Sequence, residues 1–307
     1  MKKYILLAFV LTLIISCGDN SVTAPSPEIS LDDLFFGTDS TLEVVTWNIE
    51  HFPKAGSNTL GYLEEIIPQL NVDVIALQEI ESTADFAILD AELPNYIGFC
   101  AASASYDINL AFLYRTDTVL QPDVYEIYTN EDRPFPRAPL VLEFLWQGNE
   151  YVVINNHLKA SGDGIINYND VWDEEYRRLE AVNKLKVYID NNLPDTRVFV
   201  VGDMNDELTD DMESNVFQTV LQQPERYKFA DMAIAEGSSS NWSYPAWPSH
   251  LDHIMITNEL YPSLEAHGSE TKTLQIDNYL ETGWYEYDNN ISDHLPVGIK
   301  LVIGSEK

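Results

Sequence analysis

Asn48, Glu79, His157, Asp203, Asn205, Asp252, Asp293 and His294 all stand where a run of apolar residues ends. Their oxygen atoms suit a hard divalent cation, Mg2+ or Mn2+ with Ca2+ as a third candidate, better than zinc. The chain has no cysteine cluster and no His-x3-His pair to draw a softer metal. His157 and His294 sit among acids and amides, and a paired carboxylate fixes the tautomer of an imidazole and raises its pKa. General acid–base catalysis needs such histidines. A cation, two imidazoles and amide donors together describe the hydrolysis of a phosphoester.

Strands must bring these groups together. Arg197–Asp203 is apolar from Val198 to Val201 and then reaches Gly202. A short continuous apolar run of this kind reads as a strand covered on both faces. Gly202 lets the backbone turn or be approached closely at the strand end, and chemistry in open α/β sheets sits at such ends. Alternate residues of an extended chain point the same way, so Asp203 and Asn205 can face one pocket. Alone, the segment fits a polar loop after a core strand equally well.

Leu42–Ile49 is a strand by its β-branched content and delivers Asn48 and Glu50. Asn58 caps a predicted helix carrying Leu60, Leu63, Ile67 and Leu70. Val72–Glu79 is a second buried strand, and an acid ending so apolar a run needs a partner, which favours Glu79 as a ligand. Residues 107–115 and the tract after Thr118 read as consecutive antiparallel strands. Tyr151–Lys159 turns polar as it leaves the core, with Val153, Asn155 and His157 on one face. The longest predicted helix spans 170–192 and turns Tyr176, Leu179, Val182, Leu185 and Ile189 inward; another is predicted around 210–222. Leu251–Ile256 carries Asp252 and His253, and Asp293 and His294 precede a closing strand that ends at Val302. Two loops stand out. Arg133–Pro139 fixes Arg133 and Arg137 among three prolines, a candidate anion contact. Residues 237–250 carry Trp242, Tyr244 and Trp247, either as lid packing or as a rim touching substrate.

The chain has 307 residues, 45% of them hydrophobic, enough for one large domain or two small ones. Lys and Arg number 17 against 50 Asp and Glu, a net charge of −33. Such a surface repels polyanions at long range and argues against a protein that coats nucleic acid through a basic face. An enzyme that grips one phosphate locally remains compatible, with bound cations offsetting the carboxylates. Of the two cysteines, Cys17 lies in the leader, so the body of the chain has no internal disulfide. Cys100 lies in an apolar stretch and reads as a buried, inert thiol.

Lys2 and Lys3 precede the apolar run Ile5–Ile15, followed by Ser16 and Cys17. Residues 1–16 therefore read as a secretory signal, too short to span a membrane. Ile14–Cys17 resembles a bacterial lipoprotein box, in which the cysteine is lipidated and becomes the new N-terminus; Ile14 stands where leucine is usual. Residues 17–40 are then a lipidated N-terminus and polar tether, 41–303 the domain and 304–307 a tail. The expectation is a monomer of the bacterial cell envelope, anchored through Cys17 at the outer membrane or cell surface, or secreted.

Taken in order, Thr46–Ile49, Leu77–Glu79, Asn155–Lys159, Gly202–Asp206, Leu251–Ile254 and Ser292–Pro296 resemble the motifs of the endonuclease/exonuclease/phosphatase superfamily. That family includes DNase I, abasic-site endonucleases, sphingomyelinases and inositol-polyphosphate phosphatases. Each motif is weak alone; six in this order are specific, and they cover the domain from about residue 42 to 303. The resemblance implies an α/β fold, a four-layer α/β sandwich of two mixed β-sheets packed face to face with helices outside. It implies a metal held by Glu79 with Asn48 and Asp293 nearby, while Asp203 and Asn205 orient the attacking water and the phosphate. His157 and His294 would act on nucleophile, leaving group and phosphoryl oxygens, with Asp252 holding His294. Arg137 is similar to the phosphate-binding arginine of DNase-like members, and Asn48 and Lys159 join it as substrate contacts. His157 replaces the tyrosine of abasic-site enzymes, which places the chain nearer DNase, extracellular nucleases and sphingomyelinases. Asp107 is the candidate partner of His157. Arg178 falls where secreted nucleases often carry a basic residue.

Three functions remain open. The first is a metal-dependent phosphodiesterase outside the cytoplasm, a nuclease gripping DNA or RNA locally, favoured by His157, Arg137 and Lys159 and opposed by the acidic charge. The second is a sphingomyelinase-like phosphodiesterase of phospholipid headgroups, or a phosphatase of small phosphate esters, favoured by the aromatic loop and the acidic surface. The third is a surface binding protein on a dead catalytic scaffold, opposed by the retention of every core polar residue.

Overall fold

A computed structural model of the chain describes residues 30–104 and 107–304, so the leader, Cys17 and most of the tether lie outside the described residues. β1 (Thr41–Phe52) divides its side chains by parity. Leu42 and Val44 enter one apolar layer, and Val45, Trp47 and Ile49 enter another. Period-two alternation sends neighbours to opposite faces, so a strand buried at nearly every position is covered twice.

The chain continues through α1 (Ser57–Leu70), β2 (Val74–Ile80), α2 (Thr83–Glu92), β3 (Tyr96–Cys100), β4 (Asn109–Arg115), β5 (Leu120–Glu126), β6 (Leu140–Trp146) and β7 (Asn149–His157). Then come α3 (Glu174–Asn192), β8 (Arg197–Asp203), α4 (Gln218–Leu221), β9 (Tyr227–Phe229), α5 (Met232–Ala235), β10 (Asp252–Thr257), α6 (Tyr261–Leu264), β11 (Glu270–Thr273), α7 (Trp284–Asn290) and β12 (Val297–Val302). One sheet orders its strands β11-β12-β1-β2-β4-β3 and the other β5-β6-β7-β8-β10-β9. Each contains one parallel pair, β1–β2 or β7–β8, among antiparallel neighbours. A parallel pair needs a long crossover, and α1 and α3 supply them.

Leu42, Val44, Phe112, Val153, Phe199, Val201 and Ile254 fill the layer between the sheets. Leu63, Ile67 and Leu89 of α1 and α2 cover the outer face of the first sheet. Leu179, Val182, Leu185 and Ile189 of α3 cover the second. The result is the expected four-layer sandwich, helix on sheet on sheet on helix. Among the described residues no helix is long and apolar enough to cross a membrane.

Several local expectations change. The helix around 210–222 shrinks to the four residues of α4. Asn215 spends its side chain on the carbonyls of Leu208 and Asp210 and accepts the Phe217 N–H, the competition with backbone that keeps such residues out of helices. The longest helix starts at Glu174 rather than 170, because Asp173 caps it by accepting the Tyr176 N–H at 2.8 Å. Gly56, not Asn58, precedes α1. Cys100 is half-buried, and burial pushes its thiol up to about 11.

Candidate active site

The carboxyl ends of both parallel pairs meet between the sheets, and the local backbone there is unusual. After Asn48 the β1–β2 register shifts, and Glu50 and His51 take positive φ of 25° and 49°. Glu79 has φ 65° and Asn205 has φ 53°. Side chains rarely adopt this region, and it persists where the surroundings hold it, often at functional sites. The turn lets the His51 N–H donate to Glu79 Oε2 at 3.0 Å. At the end of β8, Gly202 has φ 140°, and a Cβ there would come within 1.9 Å of the Asn156 carbonyl oxygen. Only glycine lets β7 and β8 run this close beneath Asp203.

Asp203 stands at the centre. Its Oδ1 accepts the Asn205 N–H at 3.0 Å, and its Oδ2 accepts Asn48 Nδ2 at 3.0 Å. His157 Nε2 lies 3.5 Å and His294 Nε2 3.9 Å from the same Oδ2. Asn48 Nδ2 also donates to Glu79 Oε1 at 3.2 Å, and His157 Nε2 lies 3.8 Å from that oxygen. Asp252 Oδ2 accepts His294 Nδ1 at 2.7 Å, the contact of an acid orienting an imidazole. Asp293 Oδ1 lies 3.9 Å from His294 Nε2. The turn that carries Asp293 and His294 is tied to β1: Ser292 Oγ donates to the Asn48 carbonyl at 2.6 Å and accepts the His294 N–H at 2.9 Å.

The two imidazoles are opposites. Burial drives His157 well below its ordinary pKa, and the nearby Arg137 and His294 push it further down, so it is neutral. Burial also pulls on His294, but the Asp252, Asp203 and Asp293 charges overcome it and raise His294 to about 10. Burial lifts Asp203 to about 7 against the opposing pull of His294, with the Asp252 charge adding to the rise. Arg137 is lowered by burial and lies within electrostatic reach of Glu79 and Asp203.

Glu79 and Asp293 keep partly open carboxylates, 17% and 26% exposed, and Glu50 adds a third acid by accepting the Asp293 N–H at 2.8 Å. These are hard oxygen donors and fit Mg2+ or Mn2+. Asn48 differs from the expected ligand. Its Oδ1 accepts the Glu50 N–H, and its NH2 donates to both Asp203 and Glu79, so in this structure the side chain holds the two carboxylates together.

Other expectations are redistributed. Asp107 is exposed and no bond joins it to His157, whose Nδ1 has no partner among the described residues. Arg133 points away to Glu180 and the Val171 carbonyl, leaving Arg137 alone of the pair at the cleft. Lys159 sits at the rim, its Nζ on the Ala160 carbonyl and 3.8 Å from Glu174. Arg178 is buried and fully engaged by Asp206, Glu175 and the carbonyls of Lys159 and Ser161. It shapes the rim from within. Tyr244 of the aromatic loop, read as lid or substrate rim, has its ring centroid 4.7 Å from that of His294; the residue not foreseen is Gln78. Gln78 Nε2 donates to Asn155 Oδ1 at 2.7 Å and bolts the two sheets together below the cleft. That contact carries no sequence signal, because it depends on register between distant strands.

The model of the Endonuclease/Exonuclease/phosphatase family matches residues 45–294. Among solved structures, D. rerio TDP2 complexed with single strand DNA product is similar at a TM-score of 0.62 and 15% identity, over 86% of this chain and 99% of that one. The human Nocturnin catalytic domain with bound sulfate anion gives 0.58 at 16% identity, over 85% and 94%. A mannosyl-6-phosphatase of Bacteroides thetaiotaomicron gives 0.54 at 14% identity, over 85% and 100%. At these identities the likeness to each structure is one of fold. No curated protein matches the chain.

Proposed function

Because the chain belongs to the endonuclease/exonuclease/phosphatase family, we propose that it is a divalent-metal-dependent phosphodiesterase, foremost a nuclease acting on DNA or RNA outside the cytoplasm. The observation that carries the reading is the convergence of Asn48, His157 and His294 on one buried oxygen of Asp203, beside Glu79 and Arg137. Glu79 and Asp293 would hold the cation, which supplies Lewis-acid polarisation of a phosphoryl oxygen. Asp203 and Asn205 orient the water, and the Asp203 carboxylate takes its proton. His294, kept protonated by Asp252, presents Nε2–H to the phosphoryl or leaving oxygen. Neutral His157 and Arg137 donate hydrogen bonds as charge develops, and the Asn48 amide keeps Asp203 and Glu79 in place. Lys159 at the rim meets a flanking phosphate.

A second reading has its own support. Trp247, Trp172 and Tyr168 are exposed, and the acidic surface disfavours long polyanions. Both fit a phospholipid headgroup or a small phosphate ester, and one structural neighbour is named a mannosyl-6-phosphatase. We place residues 41–303 in the catalytic domain of a monomer. We place the protein in the bacterial cell envelope through a lipidated Cys17; a Cys17→Ser variant that still partitions with membranes would overturn the anchor.

The test is a panel of DNA, RNA, sphingomyelin and sugar phosphates with Mg2+ or Mn2+, with and without chelator. The nuclease reading expects chelator-sensitive cleavage of DNA or RNA. Cleavage confined to lipid or sugar phosphates transfers the assignment to the second reading. Turnover of none of them removes the hydrolase reading.

A further inference from the structure

Behind the cleft lies a second buried group of an aspartate and two histidines that the proposed chemistry does not use. Asp231 is fully buried at the start of α5, with His250 and His253 around it. Asp231 Oδ2 meets His253 Nδ1 at 2.6 Å and His250 Nε2 at 3.1 Å, and its Oδ1 accepts the Ile254 N–H at 2.9 Å. His253 Nε2 lies 2.9 Å from the Asp206 carbonyl oxygen. Phe217 and Phe229 wall the His253 ring edge-on, at 5.6 and 5.8 Å.

The hydrogen-bond roles exclude a metal here. His250 Nδ1 accepts the Ser243 N–H at 3.3 Å, so its proton must be on Nε2, the atom a cation would need. His253 is more constrained still. Both of its nitrogens face acceptors, a carboxylate and a carbonyl, so both must donate and the ring is an imidazolium. Burial opposes that charge, but Asp231 outweighs it, and the His253 pKa rises while that of Asp231 falls.

The acceptor at the far side of the ring is what gives this cluster a role. Asp206 is the residue after Asn205 and three after Asp203. We infer that Asp231 and His253 are positioning residues: His253, held by Asp231, clamps the Asp206 backbone and thereby fixes the turn that presents Asp203 and Asn205. Arg178 grips the same turn from the other side through Asp206 Oδ2 at 2.7 Å. His250 extends the clamp through Ser243, whose Oγ accepts the N–H groups of Leu251 and Asp252, each at 3.2 Å. One buried carboxylate thus steadies both the turn carrying Asp203 and the strand end carrying Asp252.

The inference rests on the hydrolase reading only in calling the turn catalytic, so the test has two readouts. The full domain with Mg2+ is compared with its His253→Phe and His253→Gln variants by amide hydrogen exchange at 203–208 and by kcat and KM on bis(p-nitrophenyl) phosphate. Phenylalanine suits the aromatic pocket but donates nothing, whereas the glutamine amide can still reach the Asp206 carbonyl. In His253→Phe, exchange at Met204, Asn205 and Glu207 should quicken about ten-fold relative to β1 and β7 amides. Its kcat should fall roughly ten- to a hundred-fold with KM within about three-fold. His253→Gln should restore most of both. Uniformly faster exchange across all strands, or a glutamine variant no better than phenylalanine, overturns the clamp. If His253→Phe does not fold, Asp231→Asn must loosen the same three amides selectively, and unchanged exchange there overturns the inference equally. Selective loosening in a protein with no phosphoesterase turnover would uphold the clamp and remove the hydrolase reading instead.

Discussion

The cleft and the cluster behind it contain the same kinds of residue, buried aspartates with two histidines, and treat them in opposite ways. In the cluster, both oxygens of Asp231 and all four ring nitrogens of His250 and His253 have partners. In the cleft, His157 Nδ1 and Arg137 Nε are buried with none among the described residues, and His294 Nε2 stands 3.9 Å from two carboxylates. A buried polar atom without a partner costs stability. A chain that leaves such atoms unpaired on the residues gathered around Asp203, next to another aspartate–histidine group it satisfies completely, accepts that cost for a role other than stability. Composition cannot separate the two groups; hydrogen-bond satisfaction can.

The largest expected effect tests the open side. Asp203→Asn should lower turnover about 1000-fold while leaving the thermal midpoint unchanged or higher, because one of several crowded buried acids becomes neutral. Activity assays and melting curves on the same preparation measure both. A variant that loses several degrees along with its activity would make Asp203 a scaffold residue, and the contrast would collapse. The satisfied side should answer in the reverse sense. Asp231→Ala leaves the His253 imidazolium without its anion, a loss of about 3–5 kcal/mol for a broken buried pair. Urea denaturation reads it directly, and a loss below about 1 kcal/mol would mean that the cluster is not the ionic lock its geometry describes.

A metal should likewise separate the groups. Mg2+ at a hundred times its dissociation constant should stabilise the protein by about 2.7 kcal/mol. Glu79→Gln should abolish that gain, whereas His250→Gln should keep it. Melting with and without chelator decides. A gain that survives Glu79→Gln but is lost in His250→Gln would put the cation in the wrong group.

The strand ends were legible in the sequence because strands buried on both faces are mostly apolar, so a polar residue at an end of one is conspicuous. That placed Asn48, Glu79, His157, Asp203 and Asp252 at one end of the sandwich. What was illegible depends on which distant strands are neighbours. Asn48 and Asp203 are 155 positions apart and share a hydrogen bond. Nothing along Tyr227–Asp231 says that its last residue will meet two histidines. The same blindness put Asp107 beside His157 and offered Arg133 as an anion contact, when the first is exposed and the second is held by a carboxylate. The lost helix at 210–222 is a local failure: Asn215 prefers turn bonds to a helical backbone.

The smallest effect probes the criterion itself, since orphaned atoms also occur away from the cleft. Glu43 lies five residues before Asn48 on β1, fully buried, with Oε2 unpartnered while Oε1 accepts the Thr38 N–H. Burial raises it to about 9 against the Thr41 hydrogen bond, and the Asp73 charge adds to the rise. The sign follows from linkage. Between the ordinary carboxylate pKa and about 9, folded Glu43 holds a proton that the unfolded chain has released, so its contribution to stability declines as pH climbs through that window. Glu43→Gln carries no titrating group. It should match the parent at pH 5 and exceed it at pH 8 by on the order of 2 kcal/mol, with turnover within about two-fold. Urea denaturation at the two pH values measures the gap. A variant that is less stable at pH 8, or that loses most of its activity, would show that a solitary orphan can be functional. The grouping of several orphans around Asp203 would then no longer distinguish the cleft from the rest of the interior.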